Sequence, residues 1–330
     1  MKQIAIIGSG SWGVALAIHL AKNGNSVKIW SFSDEEANLI NNEKRCMFLP
    51  NVELPENIKC YTNYEDVIPN SDLILHVTQS KFTRNTVKSY KNFVDVQKQP
   101  IVICSKGIEK DTTMTLDEVI SQEIPNVKVG ALSGPSHAEE VAIGIPTALV
   151  IASKDEYTKN LVQDVFMNER MRIYSSNDVK GVEIGGALKN IIAFCSGIAV
   201  GIGCGDNTYA ALITRGLVEI RKLGIALGGE NNTFYGLTGL GDLIVTCLSE
   251  HSRNRKAGKL IGQGKTVEET KKEVGMTIES IDNIEVAKIL IDKYSLELPI
   301  FSTVYNVLYN NLDPKEAVNI LMSREKKEED

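Results

Sequence analysis

The chain opens with an apolar run, a glycine-rich break, and then apolar residues at helical spacing. Gln3-Ile4-Ala5-Ile6-Ile7 reads as a buried strand and 14–21 as a helix; 26–30 reads as a short β-branched strand and 34–40 as a second helix, completing a βαβ unit. Further apolar runs lie at 72–78, 100–104, 127–132 and 146–152, with helical patterns between several of them. Near-continuous Val, Ile and Leu is the pattern of parallel strands buried on both faces. Past Asp178 the strand signals stop, and helical spacing predicts helices at about 180–202, 207–228, 253–262, 266–274, 282–294, 300–310 and 314–323. The pattern predicts a doubly wound, parallel-sheet α/β domain over 1–177 and an all-α domain over 178–330, joined by a short connection. A chain of 330 residues agrees with this, since one domain takes roughly 150 residues. The wholly charged segment 324–330 is expected to fray.

Composition narrows the partners. A formal net charge of −6 gives no general attraction to nucleic acid or anionic lipid, so neither is expected. The cysteines (Cys46, Cys60, Cys104, Cys195, Cys204, Cys247) form no C-x-x-C pair and mostly sit in apolar runs, which predicts reduced thiols in a cytoplasm and no structural metal. The first strand begins at residue 2 or 3, which leaves no room for a leader. The longest uncharged apolar stretch, 191–205, falls short of the about 20 residues of a membrane span and is expected to be a buried core helix.

The break after the first strand reads Gly8-Ser9-Gly10-Ser11-Trp12-Gly13. Strand, G-x-G-x-x-G, then helix is the order of a dinucleotide-binding fingerprint. Gly8 allows the tight turn, Gly10 lets backbone N–H groups approach a pyrophosphate, and Gly13 lets the helix pack closely on the strand. The helix N-terminus adds orphan N–H groups and a positive dipole end.

Further along stand SKGIE at 105, SGPSHAEE at 133, GGALKN at 185, GLGDL at 239 and SRNR at 252. Together with GSGSWG at 8, these motifs resemble the bacterial-type NAD(P)-dependent glycerol-3-phosphate dehydrogenases, from residue 1 to at least Glu279. The resemblance implies a Rossmann domain followed by a helical domain of the 6-phosphogluconate dehydrogenase-like type. It also implies reversible reduction of dihydroxyacetone phosphate to sn-glycerol 3-phosphate with NADH or NADPH, supplying glycerophospholipid synthesis. A homodimer is expected, because helical domains of this type often pair, and the polar C-terminal end predicts no membrane insertion.

A ketone that receives a hydride becomes an oxyanion and needs a cationic proton donor. Lys189 lies among apolar and small residues, where desolvation would move its ammonium toward neutrality, and the resemblance makes it the acid/base. A lysine snorkelling at a helix end is the alternative. Lys106 follows a strand end, the edge where open α/β sheets bind ligands, and the resemblance has it touch cofactor and substrate; an exposed loop lysine is its alternative. The resemblance places Ser11, Trp12, Phe32, Gly134, Ser136, Ala138, Thr277 and Glu279 at the cofactor; His137 is not assigned a role. Asp242 is expected to hold Lys189 or a substrate hydroxyl, unless it merely caps a helix. Ser252 is placed to cap the next helix, with Arg253 and Asn254 in its first turn, where N–H groups, dipole and a bidentate guanidinium suit a phosphate. The resemblance puts substrate phosphate and a cofactor contact on Arg253.

There are departures from the family pattern. Trp30-Ser31-Phe32-Ser33 lacks both the basic residue that many relatives carry for a 2′-phosphate and an acid at the strand tip; Asp34 stands to reach the ribose or to cap a helix, so cofactor preference stays open. Ser280 stands where relatives usually have glycine, and Thr277 where valine is common. Two alternatives remain: a related reductase acting on ketopantoate or 3-hydroxyisobutyrate, and a non-catalytic NAD(P)-binding protein. SRNR weighs against the first, because a carboxylate substrate needs no phosphate cluster.

Overall fold

The computed structural model describes residues 1–326, 328 and 329. The chain divides into two compact units, Met1–Glu109 with Met114–Glu183, and Lys110–Thr113 with Ile184–Asp330.

The first unit carries an eight-stranded sheet: β1 (Gln3–Ile7), β2 (Ser26–Trp30), β3 (Ile58–Tyr61), β4 (Leu73–His76), β5 (Ile101–Ile103), β6 (Val129–Ser133), β7 (Thr147–Ser153) and β8 (Met171–Ser176), in the order β3-β2-β1-β4-β5-β6-β7-β8. Its helices are α1 (Ser11–Lys22), α2 (Asp34–Asn38), α3 (Tyr64–Val67), α4 (Thr83–Tyr90), α5 (Leu116–Glu123), α6 (Ala138–Ala142) and α7 (Glu156–Phe166). Alternate residues of β1 enter different cores. Ile4 and Ile6 pack with Leu16 and Leu20 of α1 and Phe166 of α7, whereas Ala5 and Ile7 pack with Val87 and Tyr90 of α4 and Ile120 of α5. Burial on both faces explains why the strand reads as uninterrupted apolar sequence. His76 in β4 is wholly buried, and burial pulls its imidazole down to about 3.

The fully parallel sheet expected from sequence fails at one pair. β6 and β7 run antiparallel, from Gly130 opposite Ser153 to Ser133 opposite Val150. The helix between them, α6, has only five residues and packs against α1, so the chain turns back at the sheet instead of crossing it. β3 and β8 were not anticipated. β8 alternates buried and exposed residues at the sheet edge, which hides it from a search for apolar runs.

The second unit is helical: the greater part of α8 (Val179–Gly201), then α9 (Asp206–Ala226), α10 (Asp242–Leu248), α11 (Arg253–Gly262), α12 (Val267–Val274), α13 (Glu279–Tyr294), α14 (Pro299–Tyr309) and α15 (Pro314–Met322). All but α10, and the π-helical turn Leu237–Gly241 ahead of it, were legible from periodicity. Among the described residues α8 alone is long and apolar enough to cross a membrane, and 89% of its apolar window is buried inside the protein, as in a core helix. α8 and α11 touch at their backbones. A Cβ on Gly197 would fall 2.0 Å from the Arg255 carbonyl oxygen, and one on Gly258 1.9 Å from that of Phe194. This crossing fixes where α11 begins relative to α8. Glu219 of α9 accepts the N–H groups of Ile300 (2.8 Å) and Phe301 (3.0 Å) at the start of α14, and burial pushes its carboxyl up to about 7. The fray expected at 324–330 falls partly on Lys327 and Asp330, outside the described residues; Arg324 to Lys326 follow α15 in no regular element.

Candidate active site

The glycine-rich loop lies at the C-terminal edge of β1. Gly8 sits at φ +127°, in the region favouring glycine, and a Cβ on Gly13 would lie 2.1 Å from the Gly8 carbonyl oxygen. Gly10, by contrast, has nothing within 4 Å of the place a Cβ would take. That open face, with no side chain capping α1 and no acid in its first turn, leaves N–H groups ready for an anion. The loop therefore fits a dinucleotide pyrophosphate. Phe32, just past β2, is 90% exposed.

Two neighbouring strand ends in the same unit bring Lys106 and the 134–138 loop together. Lys106 Nζ donates to the Gly134 carbonyl oxygen at 3.2 Å, and Ser136 Oγ donates to the same oxygen at 3.1 Å. Gly134 sits at φ +137°, and a Cβ there would be 3.2 Å from the Ala148 carbonyl oxygen. Ala138 is the first residue of α6, with no side-chain cap before it.

The second unit contains a buried charged cluster. Lys189 of α8 is 5% exposed, Asp242 at the start of α10 1%, and Thr246 one turn later 4%. Lys189 Nζ donates to Asp242 Oδ1 and, at 2.6 Å, to Thr246 Oγ1, while Thr246 Oγ1 donates to the Asp242 backbone carbonyl at 2.6 Å. A buried ammonium costs several kcal/mol unless compensated, and the carboxylate in contact supplies that compensation. Asp242 is not the helix cap, a position held by Gly241.

Around this cluster, Asn190 Nδ2 donates to Glu279 Oε2 at 2.7 Å, Asn254 Oδ1 accepts the Ser280 N–H at 3.0 Å, and Asn283 Nδ2 donates to the Ala187 carbonyl at 2.9 Å. The start of α13 is thus tied to both α8 and α11. Ser252 caps α11 by accepting the Arg255 N–H at 3.2 Å, and the first turn has no acidic residue. Arg253 is half-buried and has no hydrogen-bond or ion-pair partner among the described residues, whereas Arg255 pairs with Glu250. A cation at a helix N-terminus opposes the dipole, an arrangement that an incoming anion relieves.

Residues 3–159 match the family described as NAD-dependent glycerol-3-phosphate dehydrogenase N-terminus, and 178–319 its C-terminus. The chain belongs to this family. It is 50% identical over 330 residues to the glycerol-3-phosphate dehydrogenase [NAD(P)+] of Fusobacterium nucleatum, covering 99% of this chain and 98% of the relative. It is 48% identical over 328 residues to that of Agathobacter rectalis, covering 99% and 97%. The crystal structure of glycerol-3-phosphate dehydrogenase from Coxiella burnetii superposes with a TM-score of 0.94 at 36% identity, covering 98% of this chain and 99% of that one.

Within this glycerol-3-phosphate dehydrogenase family member, Lys189 and Asp242 meet, as do Lys106, Gly134 and Ser136. Ser11 and Trp12 occupy the first turn of α1, and Thr277 lies half-buried just before α13. Asp34 is exposed and caps nothing; Ser33 is the cap of α2. Thr246 was missed, although it stands one helical turn beyond Asp242, the spacing at which two side chains share a helix face.

Proposed function

We propose that this chain reduces dihydroxyacetone phosphate to sn-glycerol 3-phosphate with NAD(P)H, reversibly, with Lys189 as acid/base. The buried Lys189–Asp242–Thr246 cluster carries this reading. NAD(P)H, when bound, would supply the hydride. Lys189 Nζ would deliver a proton to the substrate oxygen on reduction, and in the reverse direction would take the hydroxyl proton back. Asp242 and Thr246 engage two of the ammonium donors and so fix its orientation.

Arg253 offers its fork to the substrate phosphate, together with the N–H groups of the first turn of α11 capped by Ser252. Asn254 spends its amide oxygen on the Ser280 N–H, which turns its NH2 side to donor work on phosphate. Gly8, Gly10, Ser11, Trp12, Gly13, Phe32, Gly134, Ser136, Ala138, Thr277 and Glu279 are assigned to the cofactor, Lys106 to both ligands, and Arg253 to a second contact with the cofactor. Division of labour follows at 1–177 for the nucleotide and 178–330 for the substrate. The reading extends to a cytoplasmic homodimer feeding glycerophospholipid synthesis through a diffusible product.

Following NADH and NADPH oxidation with dihydroxyacetone phosphate, dihydroxyacetone and ketopantoate tests this. Turnover confined to the phosphorylated ketone is the expected result. Activity on ketopantoate instead would remove the substrate assignment and the role given to Arg253.

A further inference from the structure

We infer that Glu36 reads the adenosine ribose of the cofactor and makes this enzyme select NADH over NADPH. The inference rests on Gly8–Gly13 being a dinucleotide cradle. In such folds the acid that accepts the ribose 2′-hydroxyl stands about 20 residues beyond the glycine motif, at the tip of the second strand. Here that tip is Ser31, which cannot carry charge. Glu36, from the first turn of α2, reaches back to it.

Ser31 Oγ donates to Glu36 Oε2 at 2.9 Å, Ser9 Oγ donates to the same carboxylate oxygen, and the two hydroxyls lie 2.9 Å apart. Ser9 belongs to the glycine loop itself, so these bonds place the carboxylate against both the loop and the strand tip. The local chain is folded for this purpose. The Ser33 N–H donates to Ser31 Oγ at 3.1 Å and the Glu36 N–H to Ser33 Oγ at 3.3 Å, a pair of side-chain turns that brings α2 back over the end of β2. Ser9 and Ser31 are buried, and Glu36 is half-buried.

No lysine or arginine pairs with Glu36 among the described residues, so its charge is not neutralised in place. A ribose 2′-hydroxyl gains an ionised acceptor there, whereas a 2′-phosphate meets a like charge. Phe32, exposed beside it, adds no cation to offset the repulsion.

Calorimetric titration of the full chain with ADP-ribose and 2′-phospho-ADP-ribose tests this without turnover, and kcat/KM with NADH and NADPH tests it again. We expect the unphosphorylated ligand and NADH to be favoured by at least about tenfold, the scale of one adverse charge contact. Glu36→Gln should shrink that ratio, and Glu35→Gln, on an exposed neighbour, should leave it alone. Equal or tighter binding of the 2′-phosphorylated ligand by the native protein overturns the inference, as does an unchanged ratio in Glu36→Gln. Failure of both ligands to bind would remove the cradle reading as well, a result distinct from loss of selectivity alone.

Discussion

At Gly8–Gly13 the first unit shapes its loop with backbone alone: one glycine at positive φ, one packed against a carbonyl oxygen, and one with open space before it. The second unit instead buries an ammonium against a carboxylate and sets at a helix start a guanidinium with no partner among the described residues. The contrast extends to the titratable groups of each interior, since His76 is held neutral by burial while Lys189 and Asp242 are paired. Binding a pyrophosphate asks only for fixed N–H dipoles, which at an open helix N-terminus carry no net charge that must be compensated. Moving a proton needs a group that changes charge, and that group must be stabilised by partners of opposite sign.

The sharpest way to break this contrast is at Lys189. Lys189→Ala should lower kcat by on the order of 10² or more, as loss of an acid catalyst does. It should also cost about 3–5 kcal/mol of stability, because the buried Asp242 carboxylate loses the ammonium that compensates its charge. Adding Asp242→Asn should recover stability in chemical denaturation but not kcat. Recovery of both would mean that the cluster is structural.

Arg253→Ala comes next. One charge-assisted hydrogen bond is worth about 1.5–3 kcal/mol, so KM for dihydroxyacetone phosphate should rise roughly 10- to 100-fold. Activity with unphosphorylated dihydroxyacetone should change far less, and equal changes in steady-state kinetics would detach Arg253 from phosphate.

The cradle separates fold from binding. Gly13→Ala should destabilise the protein by at least about 1–3 kcal/mol, since its Cβ must displace the Gly8 carbonyl. Gly10→Ala has room for its Cβ and an ordinary φ of −67°, so its melting temperature should match the native protein while its dinucleotide affinity falls. A full-affinity Gly10→Ala variant would show that the ligand does not approach there.

Two opposed pH effects complete the set. His76 is a base with its pKa pulled down by burial from 6.5 to about 3, so the unfolded chain takes the proton first; its contribution is full above 6.5 and is lost as pH falls toward 3. Glu219 is an acid raised by burial from 4.5 to about 7, so the folded chain keeps its proton longer; its contribution is full below 4.5 and is lost as pH rises toward 7. Denaturation midpoints against pH should lose the first slope in His76→Gln and the second in Glu219→Gln.

What could be read from sequence follows from how local each device is. The glycine cradle is complete within Gly8–Gly13, so its spacing is its signature. Lys189 was visible as a charge inside an apolar run. Its partners were harder to find, because Thr246 gains meaning only once Asp242 is placed across from α8. Glu36 escaped notice because the turn through Ser31 and Ser33 that returns it to the strand tip is made by side chains, which leave no periodic trace. Strand direction is likewise absent from an apolar pattern, so the antiparallel β6–β7 pair leaves no trace in the sequence.

The most direct test of the proton-transfer assignment is chemical rescue of Lys189→Ala by small primary amines, followed as kcat for dihydroxyacetone phosphate reduction. The account predicts a collapsed kcat that recovers in part as amine is added, because the missing group is a proton donor. Contradiction would be a kcat that never fell, or one that fell and did not respond to amine while the substituted protein remained folded and bound its cofactor.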